Sequence, residues 1–344
     1  MKKKIVLISG SICVVSIAFF GLIIPQLSLG LNVGYNVAVK ADYAYISDNQ
    51  GVDIINVADP RNPTRIAEVN SPDGAFDISI TDNNLYIASD SDGFEIVDIS
   101  DPESALKIGE FNDGGSIVDV DVEGSLAYCL DLSTGIKVLN ISNPSEIVHL
   151  STYYDRCECR SFQIHHELGY LGGTMGGLKI LNLTDPYSVT KIRTVSSTSG
   201  IMGSHIYDNL LFLACHMYGV KILNITNPEL PVSLGSFSKA DGEAYGVAGN
   251  RTHLYVADLQ LGVYLLNITD PSHPVELVHN KNGHPHGICF DGEFVFLADQ
   301  DRKIIILSSE LTRLFSGNIV RNDEFFSLII GMMMLVIFTR KNKR

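Results

Sequence analysis

The chain has 344 residues, of which 45% are apolar and only 19% are charged, so it can bury a large core and is not a disordered or low-complexity polypeptide. Its formal net charge at pH 7 is −14. Seven of its 25 basic residues lie in two clusters at the chain ends, which leaves 18 basic residues beside all 39 acidic ones. An acidic middle of this kind argues against nucleic acid or an anionic lipid surface as the partner.

The first thirty residues resemble a membrane-directed leader. The sequence MKKK precedes an apolar run from Ile5 to Pro25, and this run is long enough to cross a bilayer. Small residues follow at Ser28-Leu29-Gly30, where a signal peptidase would cut. Residues 1–30 are therefore predicted to be either a signal peptide or a retained N-terminal anchor, and the sequence leaves both alternatives open.

The other end carries a second apolar run, from Phe325 to Phe338, followed by TRKNKR. The run is shorter than the roughly 17 to 25 residues of a typical spanning helix, so a buried terminal helix is the alternative to a transmembrane segment. Basic residues flank both apolar runs on their outer sides, which by the positive-inside tendency predicts cytoplasmic ends. We expect residues 317–344 to form a linker, a transmembrane segment and a cytoplasmic tail, with the middle of the chain on the extracytoplasmic side of the cell membrane.

The middle of the chain repeats one six-residue string that always closes with proline. The string reads INVADP, VDISDP, LNISNP, LNLTDP, LNITNP and LNITDP at successive sites. Its prolines recur at a step of 42 residues four times and then 43, at Pro60, Pro102, Pro144, Pro186, Pro228 and Pro271. A period of about 40 to 45 residues in an all-β pattern is typical of β-propeller blades.

One repeat contains four short strands. In the second repeat, alternating segments at Asp77–Thr81, Leu85–Ser89 and Phe94–Ile99 are separated by tight turns, and a fourth strand is expected after the Asp-Pro break, over Ala105–Phe111. An aromatic residue marks the second strand of seven units, at Tyr45, Tyr86, Tyr128, Tyr170, Phe212, Tyr255 and Phe296. A glycine opens the third strand in six of them, at Gly51, Gly93, Gly135, Gly177, Gly219 and Gly262. The sequence therefore predicts an all-β, seven-bladed propeller of four-stranded antiparallel blades over residues 31–316, with a hydrophobic helix at each end of the chain.

Ring closure requires a fourth strand for the seventh blade. The segment from Leu29 to Tyr35 resembles the outer-strand segments LKIGEF and PVSLGSF, and Leu311 to Phe315 is a competitor. The sequence favours the N-terminal segment slightly.

The repeat unit reads YIASDSDGFEIVDISDP in the second repeat, and similar units read YISDNQGVDIINVADPRNP and YVADLQLGVYLLNITDPSHP. This unit resembles the LVIVD-repeat group of β-propellers. The resemblance covers about residues 31 to 316. It implies a cell-surface or secreted prokaryotic protein, but no single activity and no catalytic residue.

Acidic residues recur on the face of the disc where ligands of propellers usually bind. Asp77 and Asp119 are expected at the mouth of the central channel, and further acids follow the second strands at Asp48, Asp90, Asp92, Asp131, Asp258, Asp299 and Asp301. A calcium ion is one hypothesis. The favoured interpretation is that these carboxylates bond turn amides within the repeat, since no calcium-binding motif is present.

Three departures from the repeat are predicted to share the same face. They bring the candidate metal ligands Cys157, Cys159, Cys215, His216, His284 and His286. Cysteine and histidine suit zinc or copper. The alternatives are a disulfide of Cys157 or Cys159, with Cys215 as a candidate partner, or unrelated surface residues. Cys129 and Cys289 are predicted to be buried core residues.

Five N-x-S/T sequons could accept a glycan on an extracytoplasmic domain. They lie at Asn140, Asn182, Asn224, Asn250 and Asn267, and four of them belong to the repeated string. The competing interpretation is that these asparagines merely end strands.

The sequence lacks the common catalytic motifs for hydrolysis, metalloproteolysis and nucleotide binding, and it contains no tryptophan. The favoured function is a non-catalytic binding module tethered at the cell surface, with a protein or glycan partner and no required cofactor. A metal-dependent or redox enzyme with its site at the channel mouth, and a structural envelope component, are the two alternatives.

Overall fold

The computed structural model describes residues 34–155, 158–196, 198–281, 283–301 and 303–308. Their 27 strands form seven separate antiparallel sheets, six of four strands and one of three. In every sheet the strands are adjacent in chain order, as in a propeller blade. The predicted seven-bladed propeller is confirmed.

Each blade begins with a strand beside the central axis. These inner strands are β1 (Gly34–Lys40), β5 (Asp77–Thr81), β9 (Ile117–Glu123), β13 (Cys159–His165), β17 (Gly203–Tyr207), β21 (Ala244–Gly249) and β25 (Pro285–Phe290). The second strands are β2 (Tyr43–Asp48), β6 (Asn84–Ala88), β10 (Leu126–Asp131), β14 (Leu168–Gly173), β18 (Leu210–Ala214), β22 (His253–Asp258) and β26 (Phe294–Asp299).

The outer half of each blade follows the repeated glycine. The third strands are β3 (Gly51–Asn56), β7 (Phe94–Asp98), β11 (Gly135–Asn140), β15 (Leu178–Asn182), β19 (Val220–Asn224), β23 (Gly262–Asn267) and β27 (Lys303–Ser308). The outer strands of the first six blades are β4 (Thr64–Asn70), β8 (Leu106–Phe111), β12 (Val148–Tyr154), β16 (Thr190–Val195), β20 (Val232–Phe237) and β24 (Val275–Asn280). A single 3₁₀ turn, Pro102–Ser104, precedes β8.

The hydrophobic core is divided among the seven junctions between neighbouring blades. Each of seven clusters of buried side chains combines residues of two adjacent blades. The predicted second-strand aromatic residues are all buried within the blades. One cluster joins Val37 and Ile46 of the first blade to Phe296 and Ile304 of the seventh, so the ring is closed. Stability therefore rests on contacts between neighbours, as expected of repeat architectures.

The described seventh blade contains three strands, β25 to β27. Gly34 and Tyr35 belong to inner strand β1 of the first blade, where Gly34 pairs with Asp48 of β2 and Tyr35 lies in a bulge. The expectation that the whole segment Leu29–Tyr35 completes the seventh blade is therefore wrong for its last two residues. The rest of that segment and the competing Leu311–Phe315 lie outside the described residues.

The repeated turns have the predicted chemistry. The Asp or Asn before each repeated proline accepts a hydrogen bond at its Oδ1 from the backbone N–H two residues later, at Asp59, Asp101, Asn143, Asp185, Asn227 and Asp270. This contact closes an Asx turn around the proline, where the strand ends because proline has no N–H to donate to the ladder. The repeated string is therefore scaffold.

A charged residue occurs inside several third strands, where the sequence pattern is otherwise apolar. Asp53 pairs with Arg65 at 2.7 Å, and Lys179 pairs with Asp155 at 2.6 Å. Lys137 has a side chain only 4% exposed, and its Nζ lies 2.9 Å from Oδ2 of the fully buried Asp131 and also contacts Asp113. These ion pairs fasten the third strands to neighbouring strands and loops.

Candidate binding site at the channel mouth

The seven inner strands surround a central cavity of about 670 Å³. This volume lies within the range of small-molecule sites. Residues of all seven blades line the cavity, because every inner strand runs along the axis. All seven blades thus contribute to the cavity, and its polarity and charge depend on which side chains each inner strand directs into it.

Backbone bulges select the side chains at the mouth. The pairing register shifts at Tyr35 in β1, Arg160 in β13, Tyr245 in β21 and His286 in β25, and all four residues line the cavity. A bulge leaves one residue unpaired and redirects its side chain, and bulges are frequent beside functional sites. Phe76, just before β5, lines the same mouth.

Four rings at the mouth form a continuous series, which we call the aromatic collar: Phe76, Tyr35, His286 and Tyr245. Tyr35 stacks on Phe76 with centroids 5.1 Å apart and planes 2° apart. The Tyr35 and His286 rings meet edge to face at 6.2 Å, and His286 lies 4.4 Å from Tyr245. All four side chains are partly exposed. Burial lowers the pKa of His286, so its ring is neutral at pH 7 and the collar carries no charge of its own.

Beyond the aromatic collar, a layer of polar side chains lines the channel on the inner strands. Its carboxylates connect neighbouring blades, because Asp77 accepts from the Val120 N–H at 3.0 Å and Asp119 accepts from the Phe162 N–H at 3.2 Å. The side chain of Asn36 also donates to Asp77. The carboxylates thus hold the inner strands in register across blades, a structural role that the sequence did not reveal.

The pKa values of these channel acids are raised by burial. Burial in the channel raises the pKa of Asp77 and that of Asp121 to about 6. Burial, and then the charge of Asp77, raises the pKa of Asp119 well above its usual value. The Oδ1 atom of Asp119 is buried without a hydrogen-bond partner among the described residues. At pH 7 Asp77 and Asp121 are therefore ionised, whereas Asp119 favours its protonated form, so the negative charge of the channel below the collar comes from Asp77 and Asp121.

The candidate metal ligands lie in several different environments. Cys159 is buried and disulfide-bonded, whereas Cys215 is a buried free thiol whose pKa burial raises to about 12, so the two do not pair with each other. His216 and His286 come together on either side of Tyr245. His284 instead contacts Asp301, with Nδ1 and Oδ2 2.6 Å apart.

Within the described ranges, no group of three or more His, Cys, Asp and Glu side chains is arranged to hold a metal. Cys157 lies outside them, so the metal hypothesis stays a prediction. Cys129 is buried, as expected, while Cys289 is only partly buried and lines the cavity.

Four of the seven acids that follow the second strands bond turn amides, whereas Asp90 accepts from the Ser116 hydroxyl, Asp92 from the Asp73 N–H, and Asp301 contacts His284. Asp48, Asp131 and Asp258 each accept from the backbone N–H groups two and three residues later, and Asp299 accepts from those of Asp301 and His284. This is the favoured interpretation of the repeated acids. The calcium hypothesis stays untested.

The five sequon asparagines also have local roles. Each accepts at Oδ1 from the backbone N–H two residues later, at Asn140, Asn182, Asn224, Asn250 and Asn267. These contacts support the strand-ending interpretation for the asparagines, and glycosylation stays a prediction.

Sequence reasoning missed the aromatic collar and Asp121. Tyr245 and His286 stand in the loops KADGEAYG and GHPHG that lead into inner strands, but nothing in the sequence showed that Tyr35, Tyr245 and His286 occupy bulges. Asp121 could have been found, since it follows Asp119 by two residues and so lies on the same face of a strand.

A scan against family models identifies the repeat. The LVIVD repeat matches residues 34–71, 74–113, 114–155 and 241–279. The chain therefore carries LVIVD repeats in four places of its seven-bladed β-propeller. These four matches coincide with the first three blades and the sixth, so the remaining propeller blades have diverged further from the repeat. No curated protein matches the sequence.

Solved structures of low sequence identity share the fold. The β-propeller domain of Myceliophteria thermophila Cps50 (Swd1) is 11% identical, with a TM-score of 0.69, over 83% of this chain and 98% of that one. Virginiamycin B lyase from Staphylococcus aureus is 14% identical, with a TM-score of 0.64, over 83% and 97%. The computationally designed Ika8 protein is 9% identical, with a TM-score of 0.61, over 84% and 100%. At such identities the likeness extends to the fold alone.

Proposed function

We propose that this propeller is a non-catalytic binding module held at the extracytoplasmic surface of the cell membrane, with its ligand site at the channel mouth. One observation carries the proposal: the aromatic collar is the place where the chain departs from its repeat to expose contiguous rings above a cavity of suitable volume. Elsewhere the repeated residues have structural roles. Contiguous exposed rings mark interaction sites more often than scattered ones do, and binding sites commonly combine such rings with a few polar groups.

The location rests on sequence. No helix within the described residues is long and apolar enough to cross a membrane, and the apolar runs Ile5–Pro25 and Phe325–Phe338 lie outside those residues. Their basic flanks and the acidic domain between them support the proposed orientation.

We expect the full chain to stay in the membrane pellet after carbonate extraction, while protease added to intact spheroplasts digests the propeller. A variant lacking residues 317–344 and one lacking residues 1–30 would show which end provides the tether. A full-length chain released by carbonate, or protected from external protease, would contradict this location.

Binding at the mouth can be tested without knowing the ligand. We expect saturation-transfer NMR with full-length protein and a fraction of small metabolites and glycan fragments from the host envelope to give signals. These should disappear in the double variant Tyr35→Ser, Tyr245→Ser, because the collar loses two of its four rings. The control is Tyr187→Ser, since Tyr187 is 69% exposed on the rim. Equal signals from both variants would contradict a site at the collar.

The enzyme alternative requires a bound metal or a redox group. Elemental analysis of the purified full-length protein separates the two functions, since a stoichiometric transition metal would favour the enzyme.

A further inference from the structure

We propose that the channel mouth binds a small organic ammonium cation, with the aromatic collar contacting its alkyl groups and the channel carboxylates supplying the attracting charge. This inference rests on the proposed function and specifies its ligand class. It combines three features that meet at one cavity: contiguous aromatic faces, uncompensated acids and a volume of about 670 Å³.

The first feature is the geometry of the rings. Tyr35 and Phe76 are parallel at 5.1 Å, while His286 and Tyr245 are turned relative to their neighbours, by 81° between Tyr35 and His286 and 56° between His286 and Tyr245. The collar therefore offers ring faces in more than one direction around the opening. The electron-rich faces of aromatic rings attract cations, and several rings around one opening are suited to an alkylated ammonium, which is too weakly hydrated to be held by carboxylates alone.

The second feature is the charge of the channel. Both carboxylate oxygens of Asp121 accept backbone N–H groups, from Val122 at 2.8 Å and Ile164 at 2.8 Å. Asp77 accepts from Val120 and Asn36, and Oδ1 of Asp119 has no hydrogen-bond partner in the part of the chain that the structure describes. No described Lys or Arg forms an ion pair with any of the three acids within 4.0 Å. A cation at the mouth would supply the missing counter-charge.

Among the described residues that line the cavity, Arg160 is the only lysine or arginine, and it provides a discriminating control. Arg160 occupies the bulge of β13 and is exposed, at the strand position that Tyr245 and His286 occupy in their own blades. It interacts electrostatically with the hydroxyl of Tyr245. If a cation binds at the collar, Arg160 repels it, whereas an anionic ligand would need Arg160.

Other ligand classes fit the site less well. A hard metal ion requires about six oxygen ligands and gains nothing from aromatic rings, and the described residues contain no suitable metal cluster. An anion would face Asp77, Asp119 and Asp121. A neutral sugar could stack on the rings, but it would leave the channel charge uncompensated.

The test uses choline and its neutral isostere 3,3-dimethyl-1-butanol, titrated by isothermal calorimetry into the full-length protein in sodium phosphate buffer at pH 7.5, where the channel acids Asp77 and Asp121, with pKa values of about 6, are ionised. We expect choline to bind and the isostere to bind at least about tenfold more weakly, since the two differ in charge and hardly in shape. Equal binding of the two compounds, or no binding of choline, would overturn the proposal.

Four variants assign the contacts. We expect Tyr245→Ala to weaken choline binding by about three- to thirtyfold, the usual range for one cation–π contact. The isosteric change Asp77→Asn should weaken it, because Asp77 is ionised at this pH, and Arg160→Gln should strengthen it, while Tyr187→Ser should leave it unchanged. Circular dichroism checks that each variant is folded. Tighter binding in Asp77→Asn or weaker binding in Arg160→Gln would overturn the charge assignment.

The two proposals fail separately. If choline does not bind but the envelope fraction still gives saturation transfer that the collar variant abolishes, the ammonium inference is wrong and the binding site remains. If neither gives a signal, the binding function itself is wrong.

Discussion

Replacing Gly135 with alanine is expected to destabilise the propeller by about 3 to 4 kcal/mol, from the backbone strain and the overpacking that the new methyl group introduces. Gly135 opens β11 with a φ of +113°, a conformation that residues with a side chain rarely adopt. An added Cβ would lie 2.3 Å from the carbonyl oxygen of Tyr153 and 2.7 Å from the backbone nitrogen of Asp155. Neither contact can be relieved by moving a side chain.

The matched control is Gly114→Ala. Gly114 also has a positive φ, of +83°, but nothing lies within 4 Å of its added Cβ. This substitution should cost only about 1 kcal/mol of conformational strain. Denaturant unfolding of the full-length protein, followed by far-ultraviolet circular dichroism, measures both. If the two variants lose the same stability, the repeated glycine is not required by the close approach of the outer strand.

The substitution Lys137→Met should reduce stability at pH 7 by about 3 kcal/mol, because it leaves the buried carboxylate of Asp131 without its cation. Burial alone would raise the pKa of Asp131, but hydrogen bonds from Lys137 and Ser133 outweigh it and hold the pKa below its usual value. An acid whose pKa is lowered on folding stabilises the protein above its unfolded pKa of about 3.9, and this stabilisation is lost as the pH falls through the lowered value.

The difference in stability between the wild type and Lys137→Met should therefore be full above the pKa of Asp131 in the variant, which burial raises once Lys137 is gone. It should shrink as the pH falls through that raised pKa and vanish below the lowered pKa of Asp131 in the wild type. Arg251→Met is the control. The Arg251 side chain is 76% exposed and pairs with Asp208 at 3.2 Å, so its removal should cost less than about 1 kcal/mol at any pH. An equal loss in the two variants, or a loss independent of pH, would contradict a buried ion pair.

The fold could be predicted from the sequence because the first six blades repeat the residues that form their strands and turns. Glycine is required where the third strand begins, an aromatic side chain fills each blade, and the Asp-Pro or Asn-Pro turn recurs at a fixed spacing. The strands of the second repeat agree with the expectation to within one residue at each end, at Asp77–Thr81, Asn84–Ala88, Phe94–Asp98 and Leu106–Phe111.

The candidate site was less predictable because it depends on departures from the repeat. A bulge at Tyr245 or His286 is fixed by the pairing of β21 with β22 and of β25 with β26, and a single sequence does not reveal such a shift. The cysteines were a weak guide to the site, because Cys159 and Cys215 are buried in two different blade-junction clusters and do not pair with each other.

The most direct test of the binding site is hydrogen exchange of the full-length protein with and without the same envelope fraction. We expect slower amide exchange at the mouth, in the peptides that contain Tyr35, Phe76, Tyr245 and His286. Exchange should stay unchanged at the exposed apolar residues that begin the outer strands, Leu106, Val148, Val232 and Val275. Protection confined to those outer strands, with none at the mouth, would contradict this binding site and indicate a structural component that associates through the rim.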